Sequence, residues 1–316
     1  FLKPGDTILG MDLSHGGHLT HGAPVSQMGQ LYNFIRYRTE PQQVGAIDFD
    51  RLRDLARRHR PKLVLCGYSS YPRDLDYGPF KAIADEVGAL TMADISHVGG
   101  LVAGGVLANP LDAGFDFVTT TSHKSLRGPR GGLILTRRRH AKQIDASVFP
   151  GLQGGPHMNV IAGIAVTLKL AATAAFQAYS RQVLANAKAL AEALLAGGLT
   201  LVTGGTDNHL LVIDTIASRD LDGAAAERAL DQIGITTNKQ VIPDDTRPPL
   251  RPSGVRLGTP AATTRGMGPA EMRELAQLIV KALTSPGDSA RLADLQRDCL
   301  ALCRAFPVPG IEVMPA

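Results

Sequence analysis

The chain has 316 residues, of which 44% are hydrophobic and 20% are charged, and its formal net charge is only +4. These values are typical of a globular protein with about two domains and exclude a disordered or strongly nucleic-acid-binding chain. The three cysteines are too few and too scattered for a disulfide framework, which favours a reducing, cytoplasmic compartment.

Strand-like and helical patterns alternate along the first half of the chain. A turn is predicted at Pro4, Gly5 and Asp6, and the apolar runs TILGM, KLVLCG, ALTMAD, DFVTT and GLILT predict strands. DFDRLRDLARRHR and GPFKAIADEVG predict helices between them. This alternation predicts βαβ units and a mainly parallel sheet covered by helices, in which the last two strands are both buried.

A long helical pattern follows, from about residue 159 to about residue 196. Its apolar part, VIAGIAVTLKLAATAAF, is interrupted by Lys169 and rich in alanine, so a core-facing helix explains it better than a membrane span. No signal peptide and no membrane partner are predicted.

The order of patterns then changes to strand, helix (GAAAERALDQIG), strand (ITTNK), a proline-rich loop, strand (GVRLGTP) and terminal helices. This change predicts two domains. We expect a large α/β domain at residues 1–180, ending in the long connecting helix, and a smaller α+β domain at residues 181–316.

Several patterns argue against metal and nucleic-acid sites. The basic cluster TRRRHAK at 136–142 has no interleaved aromatic platform, so we expect a solvated surface patch and no nucleic-acid partner. Cys299 and Cys303 have no further ligand nearby. LSHGGHLTHG at 13–22 carries three histidines, but no local carboxylate or cysteine completes a zinc set, and its glycines favour close approach of a flat ligand on which His18 could stack.

The segment VTTTSHKSLRGPRGG at 118–132 connects two predicted strands. Loops at strand ends in α/β proteins are common places for sites, and a partly desolvated Lys124 could act there as an amine nucleophile. Glycines 128, 131 and 132 would let the backbone approach a ligand, and Pro129 would fix the turn. The alternative is a solvated basic turn.

Three further motifs each have a structural and a functional interpretation. Asp94, at the end of a predicted strand, either caps the next helix or lies under a heteroaromatic ring and keeps its pyridine nitrogen protonated. Arg256 is either a surface arginine on an edge strand or a fork that binds a substrate carboxylate. Gly154 and Gly155 form either a tight turn or a backbone cradle for a phosphate. A lysine and a carboxylate at neighbouring strand ends are what a pyridoxal phosphate site needs.

In this order the motifs resemble the serine hydroxymethyltransferase family, pyridoxal phosphate enzymes with the aspartate aminotransferase fold (fold type I). The similarity spans nearly the whole chain, through PGDTILGMDLSHGGHLTHG, GYSSY, ADISHVGGLVAGG, TTTSHKSLRGPRGG, FPGLQGGPHM, GGTDNHL, TNKQVIPDD and SGVRLGTPAATTRG. It implies reversible transfer of a hydroxymethyl group from serine to tetrahydrofolate, giving glycine and 5,10-methylenetetrahydrofolate through a lysine–pyridoxal phosphate aldimine. It also implies a cytoplasmic homodimer with shared active sites.

The resemblance also implies roles for single residues. Those implied to be catalytic are Lys124, which forms the aldimine, and His97, Thr121 and His123. Those implied to bind the cofactor are His18, Ser69, Asp94, His97 and Lys124, together with Gly154 and Gly155, which reach the phosphate in the adjacent subunit. Arg256 and Ser69 are implied to bind the substrate carboxylate, Leu13, Gly17, Leu19 and Asn238 the folate, and Arg130 supports the lysine.

The sequence also departs from the family. Roughly the first hundred residues of the family's usual length are missing, and these carry a dimerising helix, a tyrosine and glutamate pair and a phosphate-binding turn. We therefore expect weaker cofactor binding, a rate lower by a factor of about a hundred to ten thousand, and exposed apolar surface with an open sheet edge. Arg127 and Leu152 stand where smaller residues are commoner.

Two other functions remain open at this point. One is a catalytically impaired truncated homologue that acts as a binding or interaction protein. The other is a folate-independent aldolase for β-hydroxy amino acids, against which the folate-pocket match at residues 13–19 counts.

Overall fold

The computed structural model describes residues 1–40 and 45–311. The chain divides into two compact units. Unit 1 comprises residues 1–39, 47–69 and 74–180, and unit 2 comprises the described parts of 40–46, 70–73 and 181–316.

The strands are β1 (Thr7–Met11), β2 (Asn33–Tyr37), β3 (Thr39–Glu40), β4 (Ala46–Ile47), β5 (Leu63–Gly67), β6 (Leu90–Asp94), β7 (Phe117–Thr121), β8 (Gly132–Thr136), β9 (Thr200–Leu201), β10 (Leu210–Asp214), β11 (Asn238–Gln240) and β12 (Gly254–Gly258). The helices are α1 (Gln27–Leu31), α2 (Phe49–His59), α3 (Tyr77–Val87), α4 (Gly99–Ala103), α5 (Arg138–Ala146), α6 (Met158–Ala171), α7 (Ala174–Ala196), α8 (Thr215–Arg219), α9 (Gly223–Gln232), α10 (Pro260–Thr264), α11 (Pro269–Thr284) and α12 (Ser289–Ala305).

A six-stranded sheet forms the centre of unit 1, in the order β2-β1-β5-β6-β7-β8. All neighbouring strands are parallel except β7 and β8, which are antiparallel. The α/β fold with a mainly parallel sheet is therefore confirmed. Every residue of β5 is buried, as expected for a strand that helices cover on both faces.

Strand β8 differs from its prediction. It was expected to be buried, but the side chains of Ile134 and Leu135 are both more than 40% exposed. The reason is its position, because β8 is the last strand of the sheet and only β7 pairs with it among the described residues. Its apolar face is therefore exposed surface in this chain.

Helices α2 and α3 confirm their predictions, and the structure shows what sets their ends. Asp48 accepts a hydrogen bond from the backbone of Arg51, and Asp76 accepts one from Gly78, so each helix begins at an aspartate N-cap. Gly88 ends α3 in the left-handed conformation, with a φ of 70°.

The predicted long helix is instead two helices, α6 and α7, which meet at a bend of 79°. Thr173 lies at the break, where its hydroxyl donates to the Leu170 carbonyl and accepts from the backbone N–H of Phe176. A threonine that bonds in this way starts a new helix. The expectation of a core-facing helix is also wrong for α6, which buries only Ile164, Thr167 and Ala171.

The basic cluster at 136–142 is not wholly a solvated patch. Most of it belongs to α5, and both Arg139 and His140 contact the buried carboxylate of Asp116, which also accepts hydrogen bonds from the backbone and hydroxyl of Thr91. Part of the cluster is therefore used to pair a buried charge at the end of unit 1's sheet.

Unit 2 has a four-stranded antiparallel sheet in the order β11-β12-β10-β9. Its buried apolar side chains pack with those of α9, α11 and α12 into one core. The predicted helix at residues 223–232 and the strand at 254–258 are confirmed. The predicted ITTNK strand begins later, at Asn238.

Across the described parts of the chain, no single helix combines the length and apolar character needed to cross a membrane. The bent pair of α6 and α7 meets both criteria only when the two helices are taken together.

Candidate active site

Three of the predicted residues lie at the carboxyl ends of parallel strands in unit 1. Ser69 follows β5, Asp94 ends β6 and Lys124 follows β7. Because these three strands are neighbours in the sheet, their ends lie at one edge. Ligands of parallel α/β sheets bind at that edge.

Asp94 is the best-defined charged group at this edge. Its side chain is 17% exposed, and one carboxylate oxygen lies 3.1 Å from His21 Nε2 while the other accepts from the Ser96 backbone at 2.9 Å. Burial opposes ionisation, but the hydrogen bonds from His21 and Ser96 outweigh it and hold the pKa of Asp94 at about 2. The alternative of a helix cap is excluded, because α4 begins after Val98, without a side-chain cap.

His18 lies beside this carboxylate. Its ring centroid is 5.5 Å from that of His21, and its Nδ1 lies 2.8 Å from the Thr20 hydroxyl. The pKa of His18 is lowered by burial and by the charges of His21 and Lys124, with Asp94 acting in the opposite direction. His18, His21, Asp94 and Lys124 are therefore close enough to interact electrostatically.

Sequence reasoning missed His21, which it treated only as part of a rejected zinc motif. The His18 and His21 side chains are three residues apart in a turn closed by a hydrogen bond from the His21 N–H to the His18 carbonyl, a spacing that could have predicted that they lie together. Over residues 1–40 and 45–311 no three His, Cys, Asp or Glu side chains converge to form a metal site.

The segment from Leu13 to Leu19 is fixed against the loop after β5. Ser69 donates its hydroxyl to the Gly17 carbonyl at 2.9 Å and its N–H to the Gly16 carbonyl at 2.8 Å. Gly17 is buried, and a Cβ there would overlap the Met11 carbonyl, so the close turn requires glycine. The side chains of Leu13 and Leu19 are exposed and leave an apolar surface on this segment.

Hydroxyl groups also join the loop after β7 to the loop after β6. Thr121 donates to the Ser96 carbonyl at 3.2 Å, and Ser125 donates to the His97 carbonyl at 2.8 Å while accepting from the Gly100 N–H at 2.9 Å. Lys124 and His97 are thereby held in adjoining loops. His123, next to the lysine, has a buried Nδ1 without a hydrogen-bond partner in the described chain.

Two of the glycines after Lys124 have a packing role that was not predicted. A Cβ on Gly128 would lie 2.6 Å from the Thr167 hydroxyl oxygen, and one on Gly131 would lie 2.9 Å from the Ile164 side chain. Both glycines therefore allow the loop to pack against α6. Arg130 is exposed.

Arg127, the unusual residue of this loop, has its guanidinium 3.9 Å from the centroid of the Tyr179 ring and 5.4 Å from that of Phe176. Its charge is thus placed on an aromatic surface of α7. Gly154 and Gly155 are exposed, and a Cβ at either position would meet no atom of the described chain.

Unit 2 contains the remaining two predicted residues. Asn238 and Arg256 lie opposite each other on the antiparallel strands β11 and β12. The Arg256 Nε donates to the Asn238 side-chain oxygen at 3.0 Å, and burial lowers the pKa of Arg256.

Residues 1–279 match the family model described as serine hydroxymethyltransferase. The chain is also 53% identical over 319 aligned positions to a serine hydroxymethyltransferase of Synechococcus sp. (strain JA-3-3Ab), a match that covers 97% of this chain and 73% of that relative. The chain belongs to the serine hydroxymethyltransferase family. Members of this family are transferases of fold type I that use pyridoxal phosphate, with tetrahydrofolate as co-substrate. Neither alternative function, the binding protein or the folate-independent aldolase, gains support from these matches.

The residues of unit 1 fit the cofactor of this family. A pyridoxal ring needs an anion for its protonated nitrogen, an amine for its aldehyde and a flat surface for its face. Asp94 stays ionised although it is partly buried, Lys124 lies within electrostatic range of His18, and the His18 imidazole supplies a flat ring. The donor set therefore has the right chemistry.

Proposed function

We propose that this chain transfers the hydroxymethyl group of serine to tetrahydrofolate, giving glycine, 5,10-methylenetetrahydrofolate and water, by way of the residues described in unit 1. In this reaction the bond between the α- and β-carbons of serine breaks, its electron pair stays on the α-carbon, and a proton later replaces the lost group. The observation that carries the proposal is the partly buried, ionised Asp94 beside His18, with Lys124 within electrostatic range of that histidine.

Pyridoxal phosphate, when bound, supplies a ring that accepts the electrons left on the α-carbon. Asp94 would hold the proton at the ring nitrogen, because its pKa of about 2 keeps it anionic at neutral pH. His18 would offer its ring to one face of the cofactor, and its lowered pKa favours the neutral imidazole, which adds no positive charge there. Lys124 provides the amine that attaches the cofactor.

The neighbours of Lys124 have supporting roles in this proposal. Thr121 and Ser125 anchor the lysine loop to the backbone of residues 96 and 97, which limits the positions that the amine can take. His97 and His123 are the candidates for holding a proton during the reaction, and the Nδ1 of His123 is buried without a hydrogen-bond partner among the described residues. Arg130 supports the loop from its exposed end.

Arg256 binds the carboxylate of the amino acid, since a guanidinium forms paired hydrogen bonds with that group. Ser69 contributes either to this carboxylate or to the cofactor. The folate lies on the segment of Leu13, Gly17 and Leu19, a proposal supported by the exposed leucine side chains and by the hydrogen bonds that fix this segment to Ser69. Asn238 is the further folate contact that the resemblance implies.

We also propose a homodimer in which Gly154 and Gly155 reach the cofactor phosphate of the partner subunit. The support is the exposure of apolar side chains in the same segment and in the helix that follows it: Leu152 is 90% exposed, and Val166 and Leu170 of α6 are both 58% exposed. A second copy would cover this surface. Sedimentation should give a dimer that Val166→Glu with Leu170→Glu dissociates, whereas a monomeric wild-type chain would contradict the proposal.

Two further assignments, of the domains and of the compartment, complete the proposal. Unit 1 is the cofactor-binding large domain predicted at residues 1–180, and unit 2 is the smaller domain predicted at 181–316. The compartment is the cytoplasm, in keeping with three cysteines that are all free thiols.

The test is the visible absorption spectrum of the purified chain after addition of pyridoxal phosphate. We expect a band that is lost in Lys124→Ala and kept in Lys142→Ala, a control that removes an exposed lysine of α5. Glycine together with tetrahydrofolate should then shift the band. A folded chain whose band is the same in wild type and Lys124→Ala would contradict the assignment of the lysine.

A further inference from the structure

Strand β12 carries Arg256 at the centre of unit 2's sheet. In the antiparallel register Arg256 lies opposite Asn238 of β11 on one side and opposite Val212 of β10 on the other. Its Nε donates to the Asn238 side-chain oxygen at 3.0 Å. A bond at Nε restrains the plane of the guanidinium and the direction in which its outer nitrogens point.

The orientation of the Asn238 amide is itself fixed. Its nitrogen donates to the Lys239 carbonyl at 2.9 Å, which directs its oxygen towards Arg256. The strand is in turn attached to α9, because the Lys239 backbone N–H and ammonium group bond to the two carboxylate oxygens of Glu227 at 3.1 and 3.2 Å. The acceptor that holds Arg256 is therefore part of a rigid arrangement.

The charge of the acceptor matters as much as its position. Burial lowers the pKa of Arg256, so its charge is only weakly compensated by solvent. An amide oxygen orients the guanidinium without cancelling its charge, whereas a carboxylate at the same place would pair with it. The neighbouring carboxylate, Glu227, is paired with Lys239.

We infer that Asn238 is a positioning residue for the amino acid substrate: as a neutral acceptor, it aims the Arg256 guanidinium at the substrate carboxylate. This inference rests on the proposed role of Arg256. It assigns Asn238 a function that is separate from the folate contact implied by the resemblance.

The test compares Asn238→Asp with Asn238→Leu in the holoenzyme. Asn238→Asp keeps an acceptor for Arg256 but adds a charge, and Asn238→Leu removes the acceptor. Both should raise the KM for L-serine about ten-fold or more. Asn238→Leu loses the hydrogen bond to the charged guanidinium, and Asn238→Asp compensates the charge of Arg256. The KM for L-serinamide, which lacks the carboxylate, should change less than about two-fold in Asn238→Asp.

Gln240→Glu is the matched control. It adds the same charge two residues along β11, where the side chain bonds to the Val241 carbonyl instead of Arg256. We expect its KM for serine to stay near the wild-type value. If it matches Asn238→Asp, the effect is one of general charge and the inference fails.

A second readout does not depend on activity. In protein labelled with ¹⁵N-arginine, the Arg256 Nε–H signal should be protected from exchange in the wild type and in Asn238→Asp, and lose that protection in Asn238→Leu. Equal protection in all three overturns the inference. If this signal behaves as expected but the wild type binds no serine, the proposal that Arg256 binds the substrate carboxylate is wrong. The restraint of the Arg256 guanidinium by Asn238 would then still be supported.

Discussion

The hydrogen bond between His21 and Asp94 should make a measurable contribution to the stability of unit 1. Folding lowers the pKa of Asp94 from 3.8 to about 2, which corresponds to roughly 2 kcal/mol of stability at neutral pH. Because burial acts in the opposite direction, the hydrogen bonds must supply more than this net value. The bond from His21 has the largest effect among them, so we expect a coupling free energy of about 1.5–2 kcal/mol between His21 and Asp94.

A double-mutant cycle measures this coupling directly. The free energy of unfolding is compared for the wild type, His21→Leu, Asp94→Ala and the double variant in urea at pH 7. Tyrosine fluorescence is a suitable signal, since five of the six tyrosines lie in unit 1 and the chain has no tryptophan. The control cycle pairs His18→Leu with Asp94→Ala, because the His18 ring bonds to Thr20 and not to Asp94.

The control cycle should give a coupling below about 0.5 kcal/mol. The same low value for His21 and Asp94 would refute the argument that this bond keeps the carboxylate ionised. The pH dependence gives a second check with a fixed sign. The contribution of Asp94 is complete above its unfolded pKa of 3.8 and is lost as the pH falls through its folded pKa of about 2.

Three further outcomes are expected. An NMR titration should give His18 a pKa below 6.5, and this pKa should rise in Lys124→Ala. Since the fold favours the neutral imidazole, the contribution of His18 to stability is present above pH 6.5 and declines as the pH falls below that value. Gly128→Ala should lower the free energy of unfolding by about 1–3 kcal/mol through overlap with the Thr167 hydroxyl, whereas Gly287→Ala, where a Cβ meets nothing, should leave it unchanged; equal effects would contradict the packing role. Thr173→Ala should cost about 0.5–2 kcal/mol in urea unfolding and Thr173→Ser much less, because only alanine loses the cap of α7.

The strands of unit 1 could be predicted from the sequence where both faces are buried. Such strands, β5 above all, appear as short continuous apolar runs. Strand β2 was missed because it lies at the edge of the sheet and its residues, NFIRY, are mostly exposed or half-buried. The exposure of β8 could not be predicted either, since its apolar run is the same whether or not another segment covers it.

The residues of the candidate site that lie at strand ends could be predicted from the sequence, and the others could not. Asp94 and Lys124 follow apolar runs, and the parallel order brings such positions together. His21 and the Arg256–Asn238 pair depend on contacts between distant segments, in one case 73 residues apart. The packing role of Gly128 and Gly131 could not be predicted, because the local sequence does not show that α6 lies against them.

The hydroxyl-rich sequence around Lys124 has a physical explanation in these contacts. Ser69, Thr121 and Ser125 each donate to a backbone carbonyl in another loop at the carboxyl edge of the sheet. Short hydroxyl side chains lose little conformational entropy when they bond, and a carbonyl acceptor adds no charge near Asp94 or the lysine. The loops are therefore held together by neutral groups, which add no charge to the site. A site built in this way is positioned before the cofactor binds, which lowers the entropic cost of ordering it during the reaction.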